Sequence, residues 1–217
     1  QILGDVLDLG VPSDATVTAA KLNNDIISGS TELATAPADT DEFLVSDAGT
    51  LKRIDYSLIK GGGITVADQW RLTTNLTGVT AQFITANLEQ IDSSGQGTLG
   101  SAMTESSGVF TFPSTGIYLV GFSLYVYASN SDGFVDGEIH VTTNNSSYAE
   151  VANSTAGIET AGDTVGNSSL AQTLIDVTDT SNVKVKFYVD TLNTTTQVVG
   201  STSATKTGFT FIRLGDT

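Results

Sequence analysis

Only 15% of the 217 residues are charged, while Thr, Ser, Gly and Asn are abundant, a composition that favours β-structure over helices. The 24 carboxylates outnumber the nine Lys and Arg, for a net charge of −15; such a surface repels phosphate backbones and anionic lipid, so no nucleic-acid binding and no membrane insertion are expected. Cysteine is absent, which excludes disulfides and thiolate metal sites, and no apolar run reaches the length of about 18 residues that a spanning helix needs.

The chain starts at Gln1 without a charged n-region or apolar h-region, which predicts the ordered or processed part of something longer. Residues 1–63 read as a short mixed stem. Pro12-Ser13-Asp14 followed by ATVTAAKLNNDII predicts a short helix with Ser13 or Asp14 at its N-cap. Its stripe of Val17, Leu22, Ile26 and Ile27 covers about two turns, too little to fold alone. Phe43-Leu44-Val45 and Leu51 to Ile54 predict two short strands, joined as a hairpin through Asp47-Ala48-Gly49. Lys60-Gly61-Gly62-Gly63 is the expected joint, because glycines give the backbone many states and no side chain to pack.

Residues 64–217 form the second predicted domain. Strands are expected at 69–74, 82–87, 109–112, 116–127, 133–142, 147–151, 170–177, 183–189 and 206–214, separated by Gly, Asn, Ser and Asp clusters. That density of strands without a helical pattern predicts a sandwich or jelly roll. In 183–189, Val183, Val185, Phe187 and Val189 share one face, opposite Lys184, Lys186 and Tyr188, so one face is expected in the core and the other in solvent.

The stretch 116–127 is different. One face carries Ile117, Leu119, Gly121, Tyr125 and Tyr127, interrupted by Ser123; the other carries Tyr118, Val120, Phe122, Leu124 and Val126. Both faces are apolar, so both must be covered, one by the core and the other by a partner subunit. The strand predicts an oligomer.

Few residues suggest chemistry. His140, the single histidine, lies mid-strand on a mainly polar face with Glu138 and Asp136 and reads as a solvent-facing or interface residue. No G-x-S-x-G, HExxH or P-loop motif occurs, and no catalytic residue is expected. Asp132, Asp136 and Glu138 could supply hard oxygen ligands for Ca²⁺, as could Asp176 and Asp179, although the spacing does not fit an EF-hand loop. A solvated acidic loop is the plainer reading, and no cofactor is assigned. Trp70 is expected to pack structurally; Tyr148, in a polar loop, is as well placed to meet a saccharide.

GVFTFPSTGIYLVGFSLYV resembles the G-x-F-T-x-P-x-x-G-x-Y signature of the complement C1q globular head and its tumour-necrosis-factor-like relatives, through Gly108, Phe110, Thr111, Pro113, Gly116 and Tyr118. Phe83-Ile84-Thr85 upstream, LAQTLIDVTDTSNVKVKFYV downstream and the closing TGFTFIRL are similar to flanking strands of that family, so the likeness spans about residues 68–215. It implies a mainly β, ten-stranded jelly-roll head that forms a homotrimer, binds other molecules and is not an enzyme. Tyr118, Phe122, Tyr125, Tyr127, Phe209 and Phe211 are then expected in core or trimer packing. TAPADTDEFLVSDAGTLKRIDYSLIKGG and VTAAKLNNDII resemble stem segments of bacteriophage tail-fibre and virion structural proteins. Together the two resemblances imply an extracellular virion fibre. Its N-terminal region would meet other virion proteins, and its head would meet a host surface glycan or protein. A fibre or decoration protein without a receptor, a surface-polysaccharide depolymerase and a secreted bacterial adhesin remain as alternatives.

Overall fold

The protein is described from a computed structural model over residues 30–59, 63–91, 93 and 95–217. The helix expected within residues 13–27 lies outside the described residues, as do Lys60, Gly61 and Gly62 of the expected joint. The chain divides into two compact units, 1–61 and 62–217.

In the first unit, Glu42–Asp47 (β1) and Thr50–Asp55 (β2) pair antiparallel, with Phe43 opposite Ile54 and Asp47 opposite Thr50. Ala48 and Gly49 both have positive φ, 48° and 85°, the two-residue turn whose twist matches that of the strands it joins. Tyr56–Ile59 (α1) adds one helical turn, tied back where the Tyr56 N–H donates to the Asp41 carbonyl at 2.7 Å. Lys52 pairs with Asp47 and Arg53 with Glu42. None of these elements buries a residue. Leu44, Leu51 and Leu58 are 76%, 69% and 74% exposed, and a lone two-stranded hairpin is marginal in water.

The second unit is a sandwich of two six-stranded sheets. One sheet has the order β10-β9-β12-β7-β6, from Ala149–Thr155 (β10), Val135–Thr142 (β9), Lys184–Thr191 (β12), Val109–Thr111 (β7) and Thr104–Ser106 (β6). Ala81–Phe83 (β4) pairs the far end of β12 beside β7. The other has the order β11-β8-β14-β3-β5, from Val165–Val177 (β11), Gly116–Ala128 (β8), Gly208–Gly215 (β14), Ala67–Leu72 (β3) and Leu88–Gln90 (β5). Gln197–Val198 (β13) pairs β8 beyond β14. All pairings are antiparallel, and among the described residues no helix is long and apolar enough to cross a membrane.

The head therefore carries twelve strands among the described residues, against the ten expected. Three segments of two or three residues, β5, β6 and β13, match none of the nine expected ranges, being too short to show an alternation. The strand expected over 82–87 is the shorter β4, Ala81–Phe83, and β5 follows it in the other sheet.

Alternation along β8 and β12 dictates the core. Tyr118, Val120, Phe122, Leu124 and Val126 are all fully buried, as are Val185, Phe187 and Val189 from the facing sheet. Their rings interlock. Phe187 lies 4.3 Å from Phe209 between centroids, Phe122 stacks on Phe209 at 5.2 Å, and Phe110 meets Phe211 at 5.2 Å. Tyr118 resolves the cost of a buried hydroxyl by donating to the Ser114 carbonyl at 3.1 Å.

Both glycines of the sequence signature have a physical reason. Gly108 sits at φ +80° and a Cβ there would meet the Ile84 carbonyl oxygen at 2.2 Å; Gly116 sits at φ +139° with the Gly215 carbonyl oxygen 2.5 Å from the same position. No other residue fits either place.

Two buried carboxylates fix the loops. Asp68, fully buried, accepts from the Gln69 and Met103 backbone N–H groups, Trp70 Nε1, Gln90 Nε2 and Thr98 Oγ1, all at 2.8–3.2 Å. It thereby fastens the 98–103 loop to β3 and β5. Asp132 accepts from Thr196 Oγ1 at 2.6 Å and from the Leu192 and Asn193 N–H groups at 3.2 Å, pinning the 192–196 loop.

Candidate functional site

A sandwich has two outer faces, and here they differ in chemistry. On the β11-β8-β14-β3-β5 sheet the outer face of β8 carries Ile117, Leu119, Tyr125 and Tyr127, all half-buried. The register sets Leu174 beside Leu119 on one side and Ile212 on the other, with Leu170 beside Ser123. Leu170 and Leu174 are 56% and 61% exposed. The result is an aliphatic patch bordered by the edge-to-face pair Tyr125–Tyr127, centroids 5.1 Å apart. A hydrogen bond with Tyr127 pushes the Tyr125 hydroxyl above its ordinary pKa. Farther along the same face, Arg71 is almost wholly buried; its Nε donates to Glu89 at 2.9 Å, while Nη1 has no acceptor.

The outer face of the other sheet is aromatic and charged. Lys184, Lys186 and Tyr188 of β12 alternate outward as expected, half-buried. The register brings His140 beside Lys186, and Glu138 and Phe83 to either side of Tyr188. Phe83 meets Tyr188 at 5.0 Å and His140 at 5.2 Å, both edge-to-face. The Lys186 ammonium lies 4.6 Å from the Phe83 centroid and 5.0 Å from that of Tyr148, within reach of a cation–π attraction. Burial pushes the Tyr148 and Tyr188 hydroxyls above their ordinary pKa, Tyr188 further so through the charges of Asp190 and Glu138. Beside Lys184 lies a depression of about 310 Å³ lined by Thr104, Glu105, Ser106, Thr111 and Asn145.

Of the six aromatic residues expected in core or trimer packing, Tyr118, Phe122, Phe209 and Phe211 are buried inside the protomer, and Tyr125 and Tyr127 lie on the outer apolar face. Trp70 packs against the core edge-to-face with Phe110 at 5.4 Å, its Nε1 donating to Asp68. His140 pairs through Nε2 with Glu138 at 2.5 Å. Four of the five acidic residues considered for Ca²⁺ have separate partners, Asp132 its loop, Asp136 the Thr155 hydroxyl, Glu138 His140, and Asp179 its own turn, while Asp176 is exposed on β11. No group of three such ligands converges among the described residues. Reading the sequence missed the meeting of Phe83 and Tyr148 with Lys186. The alternation in β12 marks Lys186 as outward, but the approach of a ring about a hundred residues earlier follows only from the pairing of β4 with β12.

No family model matches the chain, and no curated protein matches it. Solved structures do. The tumour necrosis factor Eiger from S. frugiperda aligns with a TM-score of 0.52 at 13% identity, over 71% of this chain and 96% of that one. Murine APRIL at pH 5.0 aligns with a TM-score of 0.47 at 9% identity, over 69% and 98%. At such identity the likeness to Eiger defines the fold: the head is a mainly β, TNF-like jelly roll.

Proposed function

We propose that this chain is a non-catalytic fibre protein of a bacteriophage virion. It is a homotrimer, joined to other virion proteins through its N-terminal region, and its head contacts the host surface. The observation that carries the reading is the outer face of β8. Leu119, Leu170, Leu174 and Ile212 form an apolar patch on a strongly acidic protomer, and such a patch favours a self-association surface. The fibre assignment draws on the stem-like residues 35–62 and on the exposed apolar side chains of β1, β2 and α1, which suit a segment completed by neighbouring subunits or virion proteins. Three copies of one head multiply weak contacts through effective concentration, as a receptor binder requires.

Adsorption of the fluorescently labelled full chain to a panel of bacterial strains tests the receptor role. Saturable binding to some strains and not others is expected. Binding to none would leave a fibre or decoration protein that only assembles, and release of reducing ends from purified surface polysaccharide would replace the reading with a depolymerase.

A further inference from the structure

Lys184 and Lys186 leave β12 on the same outer face, two residues and so about 7 Å apart. Neither has a carboxylate partner among the described residues. Three acidic groups of this sheet bond to other partners. Glu138 holds His140, Asp136 accepts from Thr155 Oγ1, and Glu105 accepts the Gly108 N–H at 2.6 Å. Glu150 stands opposite His140 on the next strand, one strand farther from Lys186. Two cations side by side without an ion pair stand out in a chain that carries nine basic residues and a net charge of −15. Each also has its own chemical setting. Lys186 lies over Phe83 and Tyr148; Lys184 lines a depression whose other groups are the Thr104, Ser106 and Thr111 hydroxyls, the Asn145 amide, Val109 and the Glu105 carboxylate, which is held by the Gly108 N–H.

We infer that this strip of β12 binds an acidic saccharide, a pyranose chain bearing carboxylates. Its acid groups meet Lys184 and Lys186, its C–H faces lie against the Phe83–Tyr148–Tyr188 rings, and its hydroxyls enter the depression. This rests on the reading of the head as a contact for host surface glycan. The chemistry selects that class. Ammonium groups recognise anions as point charges, aromatic rings offer an apolar surface with a polar tip, and neutral hydroxyl and amide groups match sugar hydroxyls. A nucleic acid presents a negative charge about every 1.7 Å, denser than one carboxylate per sugar, and would be repelled more strongly by the rest of the acidic surface. The strip lies on the side of the sandwich opposite the aliphatic patch.

The test is calorimetric titration of the full chain with hexasaccharides of galacturonate, guluronate and sialate, and with neutral maltohexaose. At least one acidic probe is expected to bind and the neutral one not. Lys184→Met and Lys186→Met should each weaken binding about tenfold or more, the range for one charge-assisted contact, and Tyr148→Ala should weaken it too. Lys186→Arg should stay within about threefold, since it keeps the charge over the rings. Unchanged solution mass and near-ultraviolet circular dichroism confirm that the variants fold. No binding by any acidic probe, or binding that survives the double Lys184→Met, Lys186→Met variant, overturns the site. The strain assay separates the two readings. Adsorption retained by the double variant overturns this site and leaves the receptor role standing. Saccharide binding lost in that variant, with no wild-type adsorption to any strain, leaves the site standing and removes the receptor role.

Discussion

Asp68 and Arg71 are two buried charges three residues apart on β3, and their surroundings predict opposite responses to neutralisation. Asp68 accepts five hydrogen bonds. An amide in its place turns one acceptor edge into a donor that faces donors, and strands the 98–103 loop. Asp68→Asn should therefore cost about 2–4 kcal/mol, a fall in Tm of roughly 5–15 °C for a chain of this size, read by thermal denaturation. Arg71 makes one ion pair, with a Glu89 side chain 41% exposed, and leaves Nη1 unmatched. A desolvated cation so poorly compensated contributes little, and a methionine of similar reach keeps the packing. Arg71→Met should leave Tm unchanged or raise it by a few degrees; a loss comparable to that of Asp68→Asn would contradict this account of the strand. A third charge reports on pH. The Ser181 backbone N–H, helped by the Asn182 side chain, holds the exposed Asp179 carboxyl below its ordinary 3.8. With the folded value depressed, its support for the turn is complete above 3.8 and is lost as pH falls through the folded value. An NMR titration should place the Asp179 midpoint below that of an unfolded-peptide aspartate.

At the scale of elements, β8 separates folding from assembly, because one strand supplies a face to each. Phe122 sits fully buried among Phe187 and Phe209, so Phe122→Ala should destabilise the head by about 3–5 kcal/mol. Leu119, directly across the sheet, is half-buried beside Leu174 and Ile212. Leu119→Asp should leave the far-ultraviolet spectrum intact and split the assembly, a result visible by size-exclusion chromatography; unchanged mass would move the interface off this face. The two faces of β8 were legible in the sequence because a strand of thirteen residues has only one pleat phase. The same held for β12 and for the β1–β2 hairpin, where Gly49 suits one of the turn's two positive φ angles and Ala48 takes the other against its own preference. Short strands were not legible. β5, β6 and β13 owe their place to pairing with β3, β7 and β8, and two or three residues carry no period of their own. The aromatic–lysine strip was half legible: the lysines follow from alternation, while the rings above Lys186 arrive from β4 and from the loop before β10, joined to it only by tertiary structure.

For the whole molecule, the account joins a TNF-like jelly-roll head to a stem hairpin that buries none of its own side chains. The central claim is that the apolar face of β8 is covered by two further copies of the chain. Hydrophobic burial at about 25 cal/mol per Å² over an interface of standard size, about 800 Å² per partner, is ample for association, opposed by repulsion between protomers of charge −15. The most direct measurement is the solution mass of the full chain by light scattering at micromolar concentration and physiological salt. A mass near three times 22.5 kDa is the expected result, and a stable monomer would contradict the account.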